Sequence, residues 1–170
     1  MKAVALLRGI GVGLQRIPRS LAPLLVAAWM VLIWYRSSIP GESPSSHVVW
    51  SAARNFLHAP VFGFLALLGV LCLPRTSAWP RMGRGGVACV LAGAIAYALV
   101  DEWHQASVPG RVSSLLDCAT DLVGAACTLA IIAYLRRPAA RDAGLWVRLA
   151  VGLASCLAAA VFATIPDSGP

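Results

Sequence analysis

The chain reads as an all-α protein, a polytopic membrane helix bundle with about five transmembrane helices and a cytoplasmic N-terminus. Three observations predict this. Hydrophobic residues make up 59% of the 170 and charged residues 12%, about half the roughly 25% charge usual in soluble domains, and the mean hydropathy is +0.76. The apolar residues gather into five runs separated by loops rich in Pro, Gly, Ser or Arg. The bases fall mainly into alternate loops, as a topology signal requires. A chain of this length accommodates four or five spans of about 20 residues and no separate soluble domain, so residues 1–170 form a single integral membrane domain.

The opening MKAVALLRGIGVGLQR is basic, but Arg8 interrupts its apolar run after five residues and no cleavage site follows, so a cleaved signal peptide is not expected. Leu21 to Tyr35 is free of charge, and a helix starting near Pro18 with Arg19 snorkelling forms the first span. The Pro, Gly and Ser cluster after Arg36 is a turn-rich loop. Phe56 to Leu73 is the second span, with His58 near its start. Pro74 to Gly86 is a basic loop. The third span runs from Val87 to about Val100 and must continue through Asp101-Glu102-Trp103-His104-Gln105 to reach spanning length, which draws two carboxyls into the interface beside Trp103, an aromatic anchor. Val108-Pro109-Gly110-Arg111 predicts a type II turn, with Pro at the second position and Gly supplying positive φ at the third. The fourth span, from about Leu115 to Leu135, carries Asp117 and Asp121. After a basic connection from Arg136 to Arg148, Leu149 to Ile165 forms a fifth span dense in small residues that permit close helix packing.

With the N-terminus inside, eleven bases lie on the cytoplasmic side and Arg36, Arg54 and Arg111 lie outside, in agreement with the positive-inside rule. The stretch from Asp101 to Asp121 then faces out of the cell, with His58 at the same depth. The net charge of +7 does not imply nucleic acid, because no run of bases exceeds Arg136-Arg137. The five cysteines have no metal-ligand or CxxC spacing and read as packing residues. No cofactor or metal ligand set is expected.

Asp101, Glu102, Asp117 and Asp121 are four of the seven acidic residues. Asp117 and Asp121, four apart, share one helix face; an acid inside a span needs a partner or a proton, although a carboxylate also suits a helix N-terminus. Asp101 and His104, and likewise Glu102 and Gln105, are three apart, so two polar ridges end the third span. A carboxylate beside histidine is the minimum for acid–base work, which makes Glu102, His58, His104 and Asp117 the catalytic candidates. DEWHQ lacks the second histidine of HExxH, and phosphate loops, dinucleotide fingerprints and an activated nucleophile are absent. Arg111 suits either of two tasks: clamping its loop to Glu102 or Asp117, or binding a phosphate. His58 reads either as hydrogen-bonded packing or as a functional group, and His47 as a solvated loop residue.

Asp101-Glu102-x-x-Gln105-x-x-Val108-Pro109-Gly110-Arg111, followed by Ser113-x-x-x-Asp117-x-x-x-Asp121-x-x-Gly124-Ala125, closely resembles the signature of VanZ-like membrane proteins. Ser37-Ser38-Ile39-Pro40-Gly41 and His58 with Phe62 and Leu65 add to the likeness, which covers roughly Trp29 to Ala130 and leaves the fifth span outside. Asp121 stands where many members have Asn, and Arg54-Asn55 where an acidic–basic pair is frequent. The resemblance implies a multi-pass protein of the bacterial plasma membrane with an envelope role; the family takes its name from a member associated with teicoplanin resistance. The expected ligand is an anionic lipid or lipid-linked glycan, bound outside the membrane by Arg111, Gln105, Glu102, Asp101, Asp117 and Asp121. A membrane hydrolase or transferase acting on such a substrate is one alternative, and a purely structural polar patch is another. Oligomeric state is not legible in the sequence.

Overall fold

A computed structural model describes residues 2–41, 48–76, 79–80, 82–111 and 113–164; His47 and Ile165 lie outside them. Seven helices occur among the described residues: α1 Lys2–Leu14, α2 Ala22–Ser37, α3 Val48–Phe56, α4 His58–Cys72, α5 Arg84–Gln105, α6 Leu115–Leu135 and α7 Asp142–Thr164. Two-residue strands, β1 Arg75–Thr76 and β2 Trp79–Pro80, pair antiparallel inside the loop before α5. Four helical segments are long and apolar enough to cross a membrane: Val49–Cys72, Arg84–Gln105, Leu115–Leu135 and Asp142–Thr164. Helix α2 is apolar but, at 16 residues, extends only about 24 Å at 1.5 Å per residue, short of the roughly 30 Å hydrocarbon core.

Three element boundaries differ from the sequence expectation, each for a local reason. The second span begins before Phe56 and is broken at Leu57 into α3 and α4. Pro60 has no N–H to give the Phe56 carbonyl and its ring crowds that oxygen, so the chain turns there, with Leu57 N–H bonding back to Arg54 O at 3.0 Å. Helix α7 starts at Asp142 rather than Leu149. Its early base, Arg148, is accommodated by a hydrogen bond to Gly144 O at 2.8 Å and by stacking 3.8 Å above the Tyr134 ring. The N-terminal segment, expected only to lead into the first span, is itself helical.

Helix α1 lies against the ends of α6 and α7. Its Val4 is buried with Leu135, Ala140 and Leu145, while Leu6 and Ile10 are exposed. Arg8, which interrupts the apolar run, points inward and donates to Leu135 O at 2.9 Å and to Arg137 O at 2.5 Å. Asp142 in turn accepts from Val4 N at 3.0 Å. At the same end Arg19 donates to Cys72 O at 3.2 Å and Arg75 to Ile17 O at 2.9 Å. These bases satisfy carbonyls that helices and turns leave open.

The bundle is centred on α4 and α6, with α2 and α5 packed on one side and α7 against α6 and α3. Phe62, Leu65 and Val70 of α4 meet Tyr97 and Ala98 of α5 and Ala125 and Leu129 of α6 in the core. The α4–α6 crossing is unusually close: a Cβ on Gly124 would lie 2.0 Å from Ala59 O, so only glycine fits. Tyr97 donates to Met30 O, and Trp29 Nε1 to Val61 O at 3.1 Å, which fastens α2 to both neighbours. Exposed apolar side chains such as Leu24, Val31, Val151 and Phe162 cover the outside, as a lipid-facing surface requires. Trp34, Tyr35, Trp50 and Trp103, also exposed, ring the end opposite α1, the position of an interfacial aromatic girdle.

Candidate functional site

Four helix ends meet at that aromatic-ringed end: the C-termini of α2 and α5 and the N-termini of α4 and α6. The turn between α5 and α6 closes by Arg111 N–H to Val108 O at 3.1 Å, with Gly110 at φ 73°, the type II geometry the Pro-Gly pair predicts. This turn packs onto the segment after α2. Gly41 N–H donates to Pro109 O at 3.1 Å, and a Cβ on Gly41 would lie 2.0 Å from Gly110 O. Two segments far apart in sequence, ending in Pro40-Gly41 and Pro109-Gly110, are thus in backbone contact through their glycines.

Beneath this rim the four carboxyls are buried, between 2% exposed for Asp101 and 7% for Asp117. Gln105 Nε2 bridges two of them, donating to Asp101 Oδ2 at 2.8 Å and reaching Glu102 Oε1 at 3.4 Å. Glu102 Oε2 accepts from Ser114 N–H at 2.7 Å, one residue before α6. Ser114 also caps α6, its Oγ accepting from Leu116 N–H at 3.2 Å, so α5 and α6 are joined through one residue. His58 Nδ1 lies 3.1 Å from Asp121 Oδ1, a contact between α4 and α6 just beside the Ala59–Gly124 crossing. Glu102 and Asp117 are within electrostatic reach of the same imidazole. Thr120, fully buried between Asp117 and Asp121, turns its hydroxyl back to Leu116 O at 3.4 Å.

His104 and Arg111 are placed differently from the carboxyls. The His104 ring stacks on Trp34, with centroids 3.8 Å apart, and its Nε2 is 2.8 Å from Ser38 Oγ; its described partners belong to the end of α2. The Arg111 guanidinium donates to Arg36 O at 2.8 Å and Ile39 O at 3.2 Å. Its described contacts are main-chain carbonyls rather than Glu102 or Asp117, so the clamp it forms joins the turn to α2. Among the described residues no group of three or more His, Cys, Asp or Glu side chains is arranged to hold a metal ion.

Ser114, Trp34 and Thr120 are not singled out by the sequence, and Ser38 is singled out only within the Ser37–Gly41 likeness. Ser114 had a readable signal, a serine directly before an apolar helical run. Trp34 had none, and the likeness at Ser38 names no partner for it, because the role of each depends on where α2 ends relative to α5.

The architecture defines a multi-pass helical membrane protein with a buried carboxyl–histidine cluster at one end of its bundle. The chain belongs to the VanZ/LLP1 family, whose family model matches residues 23–136, about two thirds of the chain. The match runs from the start of α2 to the end of α6, somewhat wider than the motif likeness, and leaves α1 and α7 outside. No curated protein and no solved structure matches the chain.

Proposed function

We propose that this VanZ-like chain works in the bacterial plasma membrane with its carboxyl-rich end facing outward, and that it binds there the polar head of an envelope lipid or lipid-linked glycan. The observation that carries this reading is the burial of Asp101, Glu102, Asp117 and Asp121 around Gln105 and His58 at the end of apolar helices. An ionisable residue costs about 2.5–3.5 kcal/mol at the centre of a membrane span and less toward its end. Four in one place are a large outlay for helix packing alone. Carboxyl and amide groups pair with the hydroxyls of a headgroup or sugar. Arg36 and Arg54, exposed at the same end, suit its phosphate, and Arg111 holds the rim that presents them. Family membership supports the envelope setting, and a contribution to glycopeptide (teicoplanin) resistance belongs to the same proposal.

The test is mass spectrometry of lipids that co-purify with wild type and with Glu102→Gln, which keeps an acceptor for Ser114 N–H. A lipid enriched on wild type, depleted on the variant and absent from an unrelated membrane protein is the expected result. A wild-type lipid profile matching the bulk membrane would overturn the proposal. A second reading, an acid–base enzyme acting on the same ligand, is favoured by the His58–Asp121 pair beside Glu102, since a carboxylate orients an imidazole for proton transfer. In that case Glu102→Gln retains the ligand and accumulates it unprocessed.

A further inference from the structure

The charge balance at the Asp101–Gln105–Glu102 bridge bears on what kind of group can enter it. Asp101 is 2% exposed and Glu102 3%. Gln105 supplies one neutral amide donor to both, and the other donor to Glu102 is the Ser114 peptide N–H. Asp101 Oδ1 is buried with no hydrogen-bond partner among the described residues. Potential cations described at this end have other partners: His58 contacts Asp121, the His104 ring contacts Trp34 and Ser38, and Arg111 donates to the Arg36 and Ile39 carbonyls. Among the described residues, no cationic side chain hydrogen-bonds to Asp101 or Glu102. Two neighbouring carboxyls in apolar surroundings, tied by a neutral amide, are relieved by a proton or by an incoming positive group, and a phosphate placed there would be repelled. A buried, unpartnered carboxylate oxygen also asks for a donor, not an acceptor.

We infer that the group entering the Asp101–Glu102–Gln105 cluster is a protonated primary amine, of the kind carried by an ethanolamine headgroup or an amino sugar. This rests on the headgroup-binding reading above and gives it a polarity: amine inward at the carboxyls, phosphate outward toward Arg36 and Arg54. An ammonium brings three N–H donors with its charge, enough for Asp101 Oδ1 and Glu102 together. A quaternary ammonium has the charge but no donor, and a glycerol headgroup has donors but no charge. The site therefore discriminates among headgroups of one size class.

The experiment reconstitutes the full chain with equimolar ethanolamine-, choline- and glycerol-headgroup phospholipids of identical acyl chains and counts retained lipids by native mass spectrometry. The ethanolamine lipid is expected to be enriched about tenfold or more over the other two, a margin equivalent to one well-made charged contact, with the preference lost in Asp101→Asn and in Glu102→Gln. The wild-type preference stands as a test even where a variant fails to fold. A preference for the choline or glycerol headgroup overturns the amine and leaves headgroup binding intact, whereas equal retention of all three, a profile matching the bulk, overturns both. Retention of none overturns both. Displacement of the ethanolamine lipid by glucosamine but not by N-acetylglucosamine supports an amino-sugar source, and displacement by neither supports the lipid headgroup. Displacement by both alike overturns amine recognition.

Discussion

Replacing Gly124 by alanine places a methyl group 2.0 Å from Ala59 O and 2.6 Å from its carbonyl carbon and Cα. All three atoms are backbone, so no rotamer change relieves the clash. Carbon atoms attract at about 3.5–4.0 Å, and α4 must move away from α6 by at least about 1 Å to approach that. His58 is next to Ala59, and Asp121 is one turn before Gly124. A movement of that size stretches their 3.1 Å contact beyond hydrogen-bonding range. Overpacking costs about 1–3 kcal/mol, and loss of a hydrogen bond to a charged group about 1.5–3 kcal/mol, so Gly124→Ala should destabilise the bundle by roughly 3–5 kcal/mol. Soluble chains of this size lose about 2–4 °C per kcal/mol, which puts the fall in thermal midpoint in detergent near 10 °C. Two glycines serve as controls. A Cβ on Gly63 first meets Thr128 Oγ1 at 2.7 Å, a side-chain atom that can rotate aside, and a Cβ on Gly93 meets nothing within 4 Å. Gly63→Ala should therefore cost less, and Gly93→Ala should be neutral or mildly stabilising. Equal midpoints for Gly124→Ala and Gly93→Ala would refute the close-crossing argument.

Removal of the Arg111 fork in Arg111→Ala should lower stability by about 2–4 kcal/mol, from two charge-assisted bonds to carbonyls, and speed hydrogen exchange of the Gly41 amide, which bonds to Pro109 O in the same rim. Arg111→Lys should recover less than half of the loss, since one ammonium on a flexible stem does not span both carbonyls as a planar guanidinium does; full recovery would show that charge alone matters there. Orientation is checked in a cysteine-free background with Ala106→Cys and Ala139→Cys, both at exposed positions at opposite ends. An impermeant maleimide applied to intact cells should label the first, and the second only after permeabilisation. The reverse pattern would place the carboxyl cluster in the cytoplasm.

Much of this bundle is written in local pattern. The bounds of α6 follow from a predominantly apolar run between Ser114 and Arg136, in which Asp117 and Asp121 are the only charged residues, and the end of α5 from the need of a short run to borrow Asp101 to Gln105. What sequence reasoning misplaced were charges that neighbours satisfy. Arg8 looks like a break in an apolar helix until α1 is laid across the end of α6, where the same guanidinium caps Leu135 and Arg137. Arg148 looks like part of a basic connection until Tyr134 supplies a ring beneath it. The site divides in the same way. Periodicity puts Asp117 with Asp121 and Glu102 with Gln105, because those spacings are properties of one helix. The pairing of His104 with Trp34 and of Arg111 with α2 carbonyls depends on how far one helix extends relative to another, which no spacing within either helix encodes.

Arginine performs one job at both ends of the molecule. At the basic end Arg8, Arg19 and Arg75 donate to carbonyls that end helices or turns, and at the acidic end Arg111 does the same for α2. The acidic rim is thus held by contacts that leave the carboxyls out, so that no described guanidinium hydrogen-bonds to Asp101 or Glu102. Stability and chemistry at this end are consequently separable. Arg111→Ala loosens the rim and leaves the charge of the cluster as it was, whereas Glu102→Gln changes the charge and retains the acceptor that ties α5 to α6. A protein whose polar end served only to join helices would lose stability with the first change, keep its fold with the second, and have no headgroup preference to lose. One whose cluster recognises a ligand loses stability with the first and headgroup preference with the second.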